Sequence, residues 1–239
     1  MRLAIDGLET VIEFVPGHTS VLQIENSALF ARVARSFDSL EGCFALEPYT
    51  FWTEDREEKP SAVLMVIPDP LHLPWEDRSL MGEVLKRIER EFLEDEDLRR
   101  AVEKLDSSLA GRLMELGFGL NSDYGFGLEW DLKRYLKFRG FGVGESSDIS
   151  FLDNLIKFLS LALDAGCNKV IVFVNLKTFL TKNDIERLYE YVFYSKLNVV
   201  LLENAPDETI YEYERKTIVD LQFLEHQSTV LSDRPSFSQ

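Results

Sequence analysis

The run KVIVFVN at residues 169–175 reads as a buried strand that ends where an α/β nucleotide-hydrolysing site would place a carboxylate to hold magnesium. It ends in Asn175, which carries no charge. The other half of such a site is a glycine-rich turn with a lysine and a serine or threonine, whose backbone N–H groups and ammonium cradle phosphates at a helix N-terminus. Here the corresponding turn is QIENSALF (residues 23–30), with Glu25 where an anion would sit and neither glycine nor lysine. Both halves of the phosphate chemistry are missing, so ATP or GTP hydrolysis is not expected. Asn175 reads instead as a residue that turns the chain after an ordinary buried strand.

No other catalytic constellation takes its place. No serine lies in a GxSxG turn, and Cys43 and Cys167 have no histidine in a recognisable partner pattern. The glycines of GFGLNSDYGFG (117–127) follow a helix, not a strand, and so do not form a dinucleotide loop. The same connection does contain hard oxygen donors, Asn121, Ser122, Asp123, Glu129 and Asp131, the chemistry calcium prefers, although not at EF-hand spacing. A solvated polar loop would look the same in so acidic a chain.

The elements that must position these residues follow from the hydrophobic period. RLAI and TVIEFV are short and partly alternating around Gly7, which predicts a hairpin. SVLQI is a more continuously apolar strand, and after it Leu29, Phe30, Val33, Ala34 and Phe37 recur at helical spacing, with Asn26 or Ser27 as N-cap. CFALEPYTF and SAVLMVIPD read as two more strands flanking a charged loop, TEDREEKP. From Trp75 to Phe138 the pattern turns helical, with apolar stripes Leu80, Val84, Leu85, Ile88, Phe92 and Leu98, Val102, Leu105, Leu109, Leu113. The chain then returns to alternating helices and strands, ending in NVVLLEN. This predicts an α/β domain over residues 1–74 and 141–239, interrupted by an α-helical insertion over 75–140. The polar tail HQSTVLSDRPSFSQ is expected to lack order.

Composition narrows the classes further. The 239 residues are 45% hydrophobic and 12% aromatic, enough for a filled core. Two distant cysteines and three scattered histidines fit buried thiols and structural imidazoles in a reducing compartment, not a disulfide or zinc framework. No apolar run approaches the ~20 residues of a membrane span, so no membrane association and a cytoplasmic location are expected. The 42 acidic against 26 basic residues leave a net charge of −16, which opposes nucleic-acid binding over most of the surface. A ring that gathers its cations on one lining would escape that argument.

Taken together, VLQIENSALFARVARSF, a helical insertion and VIVFVNLKTFLTKNDIERLYEYVFYSKLNVVLLEN resemble the Csn-type ring-forming adaptation proteins of type II-A CRISPR systems. The similarity runs from Met1 to about Leu224 and is most specific in VFVNLKTFLTKNDI. The resemblance implies a degenerate P-loop-like α/β head stripped of its nucleotide motifs, with an inserted α-helical leg. It implies a non-enzymatic, calcium-stabilised homotetramer that encircles double-stranded DNA, loads at free ends and supports spacer acquisition. Further implied partners are the other CRISPR adaptation proteins and the RNA-guided effector nuclease.

The family's calcium-binding acids fall in the last connection of the leg, which makes Asp123, Glu129 and Asp131 the counterparts here. No motif identifies the DNA-contacting cations. On physical grounds the candidates are Arg32 and Arg35, on the polar side of the first helix, and Lys177 and Lys182, flanking a turn at the carboxyl end of a strand. Each has the plainer alternative of a solvated surface charge. The competing reading of the whole chain is a regulatory or scaffold protein that uses a degenerate nucleotide-binding fold only for oligomerisation.

Overall fold

The computed structural model describes residues 1–122, 124–125 and 130–229. In chain order its elements begin with β1 (Arg2–Ile5), β2 (Ile12–Glu13), β3 (Thr19–Ile24), α1 (Ser27–Ser39), β4 (Tyr49–Thr53), β5 (Arg56–Glu58), α2 (Pro60–Val63) and β6 (Leu64–Ile67). Three helices follow, α3 (Arg78–Glu94), α4 (Glu96–Glu115) and α5 (Leu132–Phe138). The remainder is α6 (Phe151–Asp164), β7 (Val170–Val174), α7 (Lys182–Ser195), β8 (Asn198–Glu203), β9 (Glu214–Val219) and β10 (Glu225–Thr229). The chain divides into two units, Met1–Trp75 together with Glu145–Gln239, and Glu76–Gly144.

The first unit is mixed α/β. Its main sheet has the order β10-β9-β3-β8-β7-β6, with every neighbouring pair parallel except β9 and β10. The first parallel strand, β3, therefore lies between the last, β9, and the penultimate, β8. A second, antiparallel sheet of order β2-β1-β4-β5 packs through Leu3, Ile5, Tyr49 and Phe51 onto the same core as Val33 and Phe37 of α1. That core takes Leu22, Ile24, Val170, Val172, Val200 and Leu202 from one face of the main sheet. The alternate residues turn to the opposite face by the pleat, so β3 is buried along its whole length. α7 packs against β3 there, and α6 against α7. Fully burying one such aliphatic side chain stabilises by roughly 1.5–3 kcal/mol, which is why the strands in the middle of the sheet read as unbroken apolar runs.

Several details depart from the sequence reading. TEDREEKP is not simply a loop, because Arg56–Glu58 forms β5 against β4. Pro60–Val63 is a short helical turn and not the start of a strand, since proline fixes φ and suits a helix N1 position. Cys43 is exposed, not buried, because the chain turns through a 3-10 segment at Gly42–Phe44; Cys167 is half-buried. ERKTIV and EHQST, too charged to read as strands, are β9 and β10. The first residues of the tail, through Thr229, are thus paired with β9.

The second unit is helical. Asp77 caps α3, its carboxylate accepting from the amides of Ser79 and Leu80. Asp95 both ends α3 and caps α4, with Glu96 and Asp97 in the first turn of α4 where the helix dipole favours anions. Asp131 caps α5. No helix among the described residues is long and apolar enough to cross a membrane.

Candidate functional site

In an open α/β sheet, ligands bind at the carboxyl ends of the strands, where the strand order reverses. In this chain those ends belong to β3, β7 and β8, and two asparagines stitch them together. Asn175 follows β7 with φ 53° and ψ 37°, a left-handed conformation that asparagine tolerates better than most residues. Its amide donates to the Leu202 carbonyl at 2.8 Å, and its side-chain oxygen accepts from the Asn204 amide at 3.0 Å. Asn204 in turn donates through Nδ2 to the Ile24 carbonyl at 2.7 Å. The polar position after β7 is a structural clasp.

The start of α1 is closed in the same way. The amides of Ala28 and Leu29, the donors that would hold a phosphate, point to Asn26 Oδ1 at 3.1 and 3.0 Å. Asn26 is the N-cap, with Ser27 as the first helical residue. Glu25 lies beside this turn, half-buried. The donors of a phosphate cradle are engaged by side chains of the protein itself.

Next to the clasp lies a buried cluster of charge that the sequence reading did not anticipate. Lys177 is carried under the sheet end by the 3-10 turn Leu176–Phe179, and its side chain is 9% exposed. Its ammonium donates to Glu214 at 2.7 Å and to Asp207 at 2.9 Å. Lys216, also buried, donates to the carbonyls of Asp207 and Thr209 at 2.9 and 2.6 Å. Tyr189 of α7 donates its hydroxyl to Glu214 at 3.0 Å, and the Asp207 amide donates to Gln23 at 3.1 Å. Glu203, at the end of β8, accepts from the Lys177 amide at 3.0 Å through Oε1, while Oε2 is buried with no hydrogen-bond partner among the described residues.

Electrostatics follow from this packing. Burial pushes the Glu203 carboxyl up to about 7, only partly offset by the Lys177 backbone N–H and ammonium. Burial acts to raise Asp207 as well, but the Lys177 ammonium and the Thr209 amide outweigh it and hold that carboxyl at about 2. Lys177 is held above the ordinary lysine range, because Glu214 and Asp207 overcome its desolvation, whereas desolvation wins at Lys216 and lowers it. Burial beside Glu214 drives Tyr189 well above the usual phenol range. The cluster pins the 204–213 loop and the start of β9 to the end of β7. It is a lock within the fold.

This placement corrects the expectation for Lys177. It is not presented to a ligand, because two carboxylates distant in sequence draw its charge inward. The signal for it was ERKTIV, where Glu214 and Lys216 are two apart and so share a strand face. Lys182 is exposed at the first turn of α7, and Arg35 is exposed on α1. Arg32, half-buried, is paired with Glu47. Of the four cations, Lys177 and Arg32 are thus held by carboxylates, while Arg35 and Lys182 face solvent.

Of the three acids expected to hold calcium, Asp123 and Glu129 lie outside the described residues. Asp131 is exposed, and its Oδ1 accepts from the Arg134 amide at 2.7 Å as the cap of α5. Among the described residues no group of three His, Cys, Asp or Glu side chains is placed to hold a metal. The helical unit does carry an apolar groove of about 690 Å³ between α3, α4 and α5, lined by Phe92, Leu98, Val102, Leu105, Leu109 and Trp130 among others. Leu98, Leu105 and Leu109 of α4 stay largely exposed.

A family model described as CRISPR-associated protein (Cas_Csn2) matches residues 47–222, well over half of the chain. No curated protein matches it.

Proposed function

The chain belongs to the Cas_Csn2 family of CRISPR-associated proteins, and from that premise we propose that it is a non-enzymatic, sequence-independent binder of double-stranded DNA and its ends in spacer acquisition. In this reading the α/β unit is a P-loop-like head whose nucleotide chemistry has been replaced, and the helical unit is a leg. The observation that carries it is the asparagine clasp. The amides at the start of α1 are capped by Asn26, and Asn175 and Asn204 join the strand ends where phosphates and magnesium would otherwise lie.

Assembly into a homotetrameric ring is the second part of the proposal. The exposed leucines of α4 support it, since an apolar stripe of that length is stabilised by cover. A closed ring of acidic subunits repels duplex DNA except along a basic lining, so DNA enters by threading over an end and is held through phosphates. Arg32, Arg35 and Lys182 remain the lining candidates on the α/β unit; Lys177 is withdrawn. Calcium enters through the oxygen-donor chemistry of Asp123, Glu129 and Asp131. The adaptation proteins and the effector nuclease are the partners this role requires.

The test is a gel-shift comparison of linear, end-blocked and covalently closed circular duplexes of equal length, with calcium and with a chelator. Linear DNA should bind best, with affinity falling steeply as salt rises. Equal affinity for all three forms would rule out threading. No affinity for any, with an intact oligomer by mass, would favour the scaffold reading.

A further inference from the structure

Among the helices of this acidic chain, α5 is the exception. Leu132, Tyr135 and Leu136 face the groove shared with α3 and α4, a spacing of three and four that puts them on one side of the helix. Lys133 is tied to Glu89 of α3, and Trp130 packs between Phe92 and Tyr135, with ring centroids 5.5 and 6.3 Å away. The helix is therefore fixed through its inner face. At 100° per residue, Arg134, Lys137 and Phe138 fall on the outer face, whereas Arg139, the C-cap, comes round to the side of Leu132. Arg134, Lys137 and Arg139 are all exposed, with no ion pair to another described residue among the salt bridges of this unit. Phe138 is 84% exposed between them.

We propose that this outer face of α5 is a nucleic-acid contact that holds the unpaired end of a DNA duplex, with Arg134 and Lys137 on phosphates and Phe138 stacked on a base. The inference rests on the DNA-binding reading above and adds a site and a specificity to it. Cations interleaved with an exposed aromatic ring are the chemistry by which proteins hold strands with unstacked bases. A paired duplex hides its interior base faces in the stack and offers only the outer face of its terminal pair, so the Phe138 ring finds its best partner where bases are unpaired, at a frayed end or an overhang. An anionic membrane is the weaker fit. A helix of seven residues gives little apolar area to the bilayer, and its apolar side faces the groove.

The test uses the full chain, a labelled blunt duplex and the same duplex with a short single-stranded overhang, read by fluorescence anisotropy. The wild type should prefer the overhang. Phe138→Ala should lower affinity for the overhang duplex by about fivefold to a hundredfold, weaken the blunt duplex less, and be rescued by Phe138→Trp. The combined Arg134→Glu and Lys137→Glu variant should weaken both and flatten the dependence of log affinity on log salt by about 1.5.

If the wild type bound neither duplex, the DNA-binding reading itself would fail. If it bound both and the variants matched it, only the α5 site would be refuted. A Phe138→Ala protein that lost subunits by mass would place that ring in an interface and overturn the stacking role. Loss of binding to vesicles rich in anionic lipid by the charge variant, with DNA binding intact, would assign the face to membrane and overturn the proposal too.

Discussion

Replacing Glu203 by Gln removes one titration from the buried cluster and changes little else, because the amide keeps an oxygen to accept from the Lys177 backbone N–H. The native carboxyl titrates at about 7 against an ordinary value of 4.5. Below pH 4.5 it is protonated in both folded and unfolded chains, and its contribution does not depend on pH. Between 4.5 and about 7 the unfolded chain has released the proton and the folded chain has kept it, so stability falls as pH rises. Above about 7 both are ionised and the loss is complete. At about 1.4 kcal/mol per pH unit, that interval amounts to about 3 kcal/mol, a large share of the 5–15 kcal/mol typical of a domain. Urea denaturation of wild type and Glu203→Gln at pH values spanning the interval, at one ionic strength, isolates the term because all other titrations cancel in the difference. The wild type should lose about 3 kcal/mol relative to the variant as pH rises from 4.5 to 7. A difference that stayed flat, or grew the other way, would show that Glu203 is ionised in the folded chain and that its buried Oε2 is solvated.

Lys177→Met should destabilise by about 3–5 kcal/mol, since it strands Glu214 and Asp207 without their cation, while Lys182→Met should change the denaturation midpoint hardly at all because that side chain is exposed. Asn175→Ala should cost about 2 kcal/mol, from a left-handed backbone and a lost hydrogen bond to the Asn204 amide. Asn175→Gly should recover the backbone part alone, so a glycine variant less stable than the alanine one would refute the left-handed strain, and one as stable as the wild type would refute the clasp.

The legible parts of this chain were those in which neighbours in sequence determine the outcome. VLQI, nearly all apolar, and VIVFV, wholly so, read as buried strands because both faces of a parallel sheet are covered. Asn26 before the first helical repeat announced a cap through local hydrogen bonding. The missing lysine and glycine in QIENSALF were visible too, since a phosphate cradle depends on a few consecutive residues.

What lay beyond the sequence depends on partners far away along the chain. ERKTIV carries charges that favour solvent until Lys177, Asp207 and Tyr189 meet Glu214 and Lys216 inside, so neither the strand nor the lock could be read locally. Lys177 looked like a surface cation for the same reason: its carboxylates come from residues 207 and 214, and only the β7–β8–β3–β9 order brings them together. The sequence by itself determined the alternation of α/β and helical segments and the absence of nucleotide motifs, because these rest on short-range periodicity and composition. Tertiary structure alone decided which charges are buried and paired and which, like those on α5, face outward, because burial is set by the sheet order and helix packing that join distant segments.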